Sequence, residues 1–250
     1  MCGRFTLHHT AEEIATRFQI QEVLFDAGPR YNIAPSQPIA TIAQQDGARV
    51  LLSSRWGLIP SWAKDPAIGN RMINARAETL REKPAFKTAL SRRRCLIPAD
   101  GFYEWSTPAK ANAQTKKAAK EKTPHYIRMK TGELFALAGL WDEWKLPAGE
   151  TVRSCTIITT VPNEIITPLH HRMAVILKPE GEQTWLDPEL KDVDELSQLL
   201  QPYANDALEF YSVSRRVNAP AFDEESCIFP WQEDLEEAIV ESSLQPKLFD

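Results

Sequence analysis

Short runs of β-branched and aromatic residues, broken by turn residues, dominate the hydrophobic pattern of this chain. They occupy Gly3–Leu7, Ile39–Ala43, Val50–Ser54, Tyr126–Met129, Leu134–Leu140, Cys155–Thr160, Ala174–Leu177 and Leu208–Val213, and each has the length and flanks of a strand. Helical periodicity is scarcer. Thr10-Ala11-Glu12-Glu13 forms a capping box ahead of Ile14 and Phe18, which lie four apart on one apolar face. Lys83–Ser91, with Pro84 in its opening turn, and Asp194–Leu200 predict two more short helices, and Pro179 leading to Trp185-Leu186 predicts another. Isolated helices among short strands argue against regular βαβ winding. They predict an α+β fold: a mixed or antiparallel, β-rich single domain with a few peripheral helices.

The simplest partition is one domain over residues 2–230 followed by an acidic tail at 231–250. Within the domain, residues 106–124 stand apart: five lysines (Lys110, Lys116, Lys117, Lys120, Lys122) lie among alanines with no large apolar residue. The segment reads as an inserted, mobile loop. No apolar run approaches the roughly 20 residues that span a bilayer, and the start lacks a basic segment leading into an apolar one. A cytoplasmic protein without membrane attachment is expected. Four scattered cysteines with no C-x-x-C pair argue against a disulfide framework and against zinc, and suit a reducing compartment.

The net charge of −5 conceals an asymmetry. Residues 180–250 carry 18 acidic against 4 basic side chains, whereas residues 1–179 carry 16 acidic against 25 basic. A basic body of this kind admits an anion-binding face, although the same charges also suit a solvated surface.

Candidate chemistry starts at the second residue. Removal of Met1, expected before a small residue, leaves Cys2 with a free α-amine beside its thiol. Reference pKa values of about 7.7–8.0 and 8.5 give both groups nucleophilic fractions near neutral pH. Such a 1,2-aminothiol attacks acyl carbons, or condenses with an aldehyde through a Schiff base into a thiazolidine. Cys2 as a small buried hydrophobe opening the first strand is the alternative. Further clusters are Arg30–Pro35, a loop ending in a rigid proline; Trp56–Trp62, two indoles around a turn; and Asn74–Thr79, an amide, a guanidinium and a carboxylate close together. Asp100–Trp105 puts Glu104 on the strand face of Phe102, opposite Tyr103 and Trp105. That setting raises a carboxyl pKa and suits acid–base work. His170 and His171 on extended backbone would point to opposite faces, so only one enters a given site, and they cannot readily chelate one ion.

Together, MCGRF, RYNIAP, WGLIPSWA, INARAET, CLIPADGFYEW, LAGLW, TIITT, LHHRMAVIL and SVSRRVN, in this order over about residues 2–220, resemble the SOS-response-associated peptidase (SRAP) family of abasic-site processing proteins. One departure is Ala174, where many members carry proline. The resemblance implies a protein, expected to be monomeric, that crosslinks to abasic sites in single-stranded DNA, including single-strand/double-strand junctions, during the DNA-damage response. It implies Cys2 as nucleophile, Asn74 holding the Cys2 amine and the sugar–phosphate, Glu104 shuttling protons, and His170 assisting ring opening and reversal. Arg76 and Arg172 match phosphate-binding positions and Arg4 joins them as a DNA contact. Pro35 and Trp62 match loops that stack on bases, and Thr159 matches a backbone contact. No metal or organic cofactor is implied, and a weak lyase activity would be secondary. Rival readings are an N-terminal-nucleophile hydrolase of autopeptidase or glutamine-amidotransferase type, and a noncatalytic single-stranded DNA-binding module.

Overall fold

In the computed structural model, residues 2–26, 28–106, 122–146 and 149–232 are described. The strands are, in chain order, β1 (Phe5–Leu7), β2 (Glu22–Val23), β3 (Arg30–Ile33), β4 (Pro38–Gln45), β5 (Ala48–Trp56), β6 (Asn74–Arg76) and β7 (Arg94–Ala99). They continue with β8 (Gly101–Ser106), β9 (Thr123–Met129), β10 (Phe135–Lys145), β11 (Thr151–Thr160), β12 (Met173–Ala174), β13 (Ile176–Leu177) and β14 (Leu208–Ser212). Among the described residues four α-helices accompany them: α1 (Ala11–Phe18), α2 (Pro84–Arg92), α3 (Pro179–Leu186) and α4 (Val193–Gln198). The fold is thus β-rich α+β, as the hydrophobic pattern predicts.

Strands β11, β10, β7, β4 and β5 pair in sequence, and β5 returns to β11 in parallel through Ser154↔Arg55 and Cys155↔Trp56, closing a barrel-like ring. Closure removes the two open edges that a five-stranded sheet would expose. The segment carrying β12 and β13 pairs with both β10 and β11, while β6 runs parallel to the end of β11. A second sheet has the order β14-β9-β8-β1-β3. The chain passes from ring to second sheet at Asp100, where β7 ends and β8 begins. Phe5 meets Trp56 edge to face, 5.2 Å between ring centroids, joining the two sheets in one core.

Local chemistry explains the elements. Thr10 and Glu13 complete the capping box of α1, which buries Ile14 and Phe18. Pro84 and Pro179 each open a helix, where a missing N–H costs nothing. Alternation in β8 sends Phe102 to the main core, while Tyr103 joins Tyr126, Val213, Val217 and Cys227 in a second cluster. All four cysteines are buried and free.

The structure corrects three local expectations. Arg30–Ile33 forms strand β3 rather than a loop, because β1 supplies an antiparallel partner. The ends of the lysine-rich segment belong to strands: β8 runs to Ser106 and β9 starts at Thr123, paired with it. Ala174–Leu177 is two short strands rather than one. The rest of the lysine-rich segment, from 107 to 121, and the tail from 233 onward lie outside the described residues. Among the described residues no helix is long and apolar enough to cross a membrane.

Candidate active site and DNA interface

Cys2 is wholly buried and belongs to the main core. The Asn74 amide, at the start of β6, donates a 2.7 Å hydrogen bond to the Cys2 carbonyl. The resemblance had Asn74 engaging the amine; here its amide fixes the backbone of the same residue. Asn74 Oδ1 is buried with no hydrogen-bond partner among the described residues. It is therefore an acceptor still available to an ammonium or hydroxyl donor. Just beyond Cys2, the Tyr103 N–H donates to the Arg4 carbonyl at 2.9 Å, extending the pairing of β1 with β8 toward Glu104.

Glu104 is 3% exposed, and burial raises its carboxyl above the ordinary range. Burial, and next the charge of Glu104, push the Cys2 thiol up to about 12. The two groups therefore share one electrostatic environment, and at neutral pH the thiol keeps its proton. Opposite Glu104 across the sheet is His125, whose imidazole burial shifts toward the neutral form.

His170 directly follows the turn at 164–169, its N–H donating back to the Ile166 carbonyl at 2.9 Å, and the chain bends at His171. The Arg172 N–H donates to His170 Nδ1 at 3.0 Å, which leaves the proton of the neutral ring on Nε2. The rings of His170 and His171 stack at 4.2 Å instead of pointing apart, because the chain bends here. Burial, with His171 among the neighbouring side chains, lowers His170 to about 4.

A second group gathers at the end of β11. Thr159 is opposite both Arg76 and Ala174. Arg172 is buried; it grips both oxygens of Glu78 at 2.7 and 2.9 Å and donates to the Thr159 carbonyl at 2.6 Å. Glu78 is held below the ordinary carboxylate range, first by its hydrogen bond to Arg172. Arg172 thus already holds an anion. Arg76, two residues before Glu78, is exposed.

Arg4 is tethered by Nη1 to Asn32 Oδ1 at 2.6 Å and to the Val217 carbonyl at 2.7 Å, and burial lowers its pKa. Separate loops carry Pro35 and Trp62. Pro35 is half-buried ahead of Ser36, whose N–H donates to the Trp56 carbonyl. Trp62 is 58% exposed on a turn fixed to β10, where Asp142 accepts the Ser61 N–H and Trp144 Nε1 donates to the Ala63 carbonyl. Structure therefore brings Cys2, Asn74 and Glu104 together, groups Arg76, Thr159 and Arg172 around Glu78, and sets the two stacking candidates on loops.

Some residues escaped the sequence reading. Asn32, fully buried, holds Arg4 and donates to the Val217, Ala219 and Phe222 carbonyls, which draws the last described segment against β3. Asp223 accepts from the Tyr31 and Asn32 backbone and from Arg30. Neither stands out in the sequence: Asn32 lies within the Arg30–Pro35 cluster, and Asp223 opens an acidic Asp-Glu-Glu run that reads as solvated surface. Val161 is 51% exposed and lines a shallow groove with Ala77, Glu78 and Thr160.

The model of the SOS response associated peptidase (SRAP) family matches residues 1–220. The chain is 49% identical over 222 residues to the abasic site processing protein YoqW of Bacillus subtilis strain 168, covering 88% of this chain and 95% of that protein. It is 35% identical to the abasic site processing protein HMCES of Gallus gallus, over 81% of this chain and 66% of that protein. A crystal structure of a protein from Bacteroides thetaiotaomicron superposes with a TM-score of 0.78 at 26% identity, covering 92% of this chain and all of that one. With a family model spanning the folded body and a relative at 49% identity, the chain belongs to the SRAP family.

Proposed function

We propose that this protein captures abasic sites in single-stranded DNA, including at junctions with duplex, as a covalent thiazolidine on Cys2. The observation that carries the reading is the buried Cys2, its carbonyl fixed by Asn74 and its thiol perturbed by Glu104. The names of the relatives support abasic-site processing as the general task.

The amine freed by loss of Met1 adds to the aldehyde carbon of the ring-opened sugar, and water leaves to give an imine. The Cys2 S–H then adds across the C=N bond: sulfur bonds carbon, and the thiol proton ends on nitrogen. The amine acts first and the thiol closes the ring second, because only the imine offers the C=N bond to which the thiol adds. Glu104, with its raised pKa, is suited to give and take the protons these steps require. His170 serves as a neutral imidazole in sugar opening and in reversal. Arg76 and the Arg172–Glu78 pair border the backbone path, and Trp62 and Pro35 offer stacking surfaces that tolerate any base sequence. An abasic nucleotide has no base to unstack, which makes bending the strand there less costly.

The test is incubation with a single-stranded oligonucleotide carrying one abasic site, followed by denaturing electrophoresis. A heat-stable adduct with wild type and none with Cys2→Ser is expected. Borohydride should still trap a transient imine in the variant, because its amine remains. A wild-type yield of unreduced, heat-stable adduct from Cys2→Ser would remove the thiazolidine, and ammonia release from glutamine would favour an amidotransferase instead.

A further inference from the structure

We infer that His8, His9 and Asp100 form a binding site for a zinc-like divalent cation, distinct from the Cys2 centre. Asp100 Oδ2 lies 2.9 Å from His8 Nδ1 and 3.1 Å from His9 Nδ1, and the three ligand atoms fall within 4.8 Å of one another. Around a tetrahedral zinc with bonds of about 2.0–2.1 Å, ligand atoms stand roughly 3.3 Å apart. Each imidazole Nδ1 therefore stands within a few tenths of an ångström of that spacing from Asp100 Oδ2. Adjacent histidines converge here because the chain bends at His9, between β1 and α1.

A second observation concerns satisfaction. His8 Nδ1 is buried, and although it lies near Asp100 Oδ2 it has no well-formed hydrogen bond among the described residues. A cation at the shared focus would occupy that lone pair. Coordination through Nδ1 uses each imidazole as the neutral ring with its proton on Nε2, and Asp100 supplies the negative charge.

The surroundings resemble the outer shell of a metal site. Thr6 donates its hydroxyl to Asp100 Oδ1, the His8 N–H donates to Oδ2 at 2.6 Å, and the His8 ring stacks on Tyr31 with planes 9° apart. Two neutral imidazoles with one carboxylate favour zinc over magnesium or calcium, which prefer all-oxygen shells. His9 also lines a cavity of about 460 Å³, together with Arg17, Glu133 and Tyr203, which leaves room for water or a small anion as a fourth ligand.

The experiment uses untagged, chelator-treated full-length protein. After dialysis against micromolar zinc or cobalt, bound metal per chain and the visible spectrum of the cobalt form are measured. One equivalent per chain with tetrahedral cobalt bands is expected. His8→Ala and His9→Gln should each weaken zinc by at least about 10-fold, the loss typical even of an outer-shell partner. Both side chains are partly exposed, and metal-free thermal melts report whether the variants fold. His9→Gln retains a hydrogen-bond donor for Asp100, so it separates metal ligation from that contact. Wild type that binds no zinc, or variants that keep wild-type stoichiometry and affinity, would overturn the proposal.

Discussion

At Glu104 burial and charge oppose each other, and the residue's pH behaviour follows. Its folded pKa is raised by burial, so its contribution to stability is fully present below the unfolded carboxyl pKa and is lost as pH rises through the folded value. Glu104→Gln should therefore be at least as stable as wild type at neutral pH, each kcal/mol of gain appearing as roughly 2–4 °C for a chain of this length. The gain should vanish on acidification; melts across a pH series check it. The same variant should slow crosslinking by about 10²–10⁴-fold, the usual worth of a positioned acid–base group. Rapid-quench time courses at saturating protein measure that loss. His170 behaves differently: lowered to about 4, it is neutral throughout the physiological range. A pH–rate profile between 6 and 8 should therefore show no inflection that His170→Ala removes.

At the scale of elements, the end of β11 is where backbone pairing and side-chain charge converge. Glu78 occupies Arg172 as a phosphate would. Glu78→Gln should free that guanidinium, tighten single-stranded DNA and steepen the salt dependence of binding by about one counterion. Arg76→Ala should flatten it by about one. Binding isotherms over a salt series decide both. The corner between β7 and β8 is less forgiving. A Cβ on Gly101 would fall 2.1 Å from the Tyr126 hydroxyl, itself hydrogen-bonded to Thr6 at 2.9 Å, so Gly101→Ala should cost about 1–3 kcal/mol or more in chemical denaturation.

These elements also show what could be read from the chain. The capping box, the proline-led helices and the face assignment of Glu104 rest on local periodicity, and the structure has them. Strand β3 and the stacked His170–His171 pair depend on a distant partner and on a bend, which no local pattern records. The Arg172–Glu78 pair is likewise invisible, since 94 residues separate its members. Cys2, Asn74 and Glu104 were individually conspicuous, but only sheet pairing shows that they meet.

Over the whole molecule, charge is divided along the chain rather than balanced locally. Residues 233–250 hold six acidic side chains and one lysine, so their removal takes the net charge from −5 to 0. Truncation after residue 232 should raise affinity for single-stranded DNA at low salt, and the difference should fade as salt screens it. Parallel titrations of the two proteins at two ionic strengths provide the check.

The depth at which Cys2 lies has a wider consequence. An exposed aminothiol reacts with any aldehyde, whether a sugar, a lipid fragment or formaldehyde. With Met1 in place the folded core acts on this thiol as a protecting group does: the side chain is wholly buried and keeps its proton at neutral pH. Only a ligand large enough to bring binding energy of its own would gain entry, so selectivity for a lesion within a polymer would arise from concealment rather than from heightened reactivity. Unfolding would reverse the relation, turning a discriminating reagent into an ordinary cysteine that scavenges whatever carbonyl it meets.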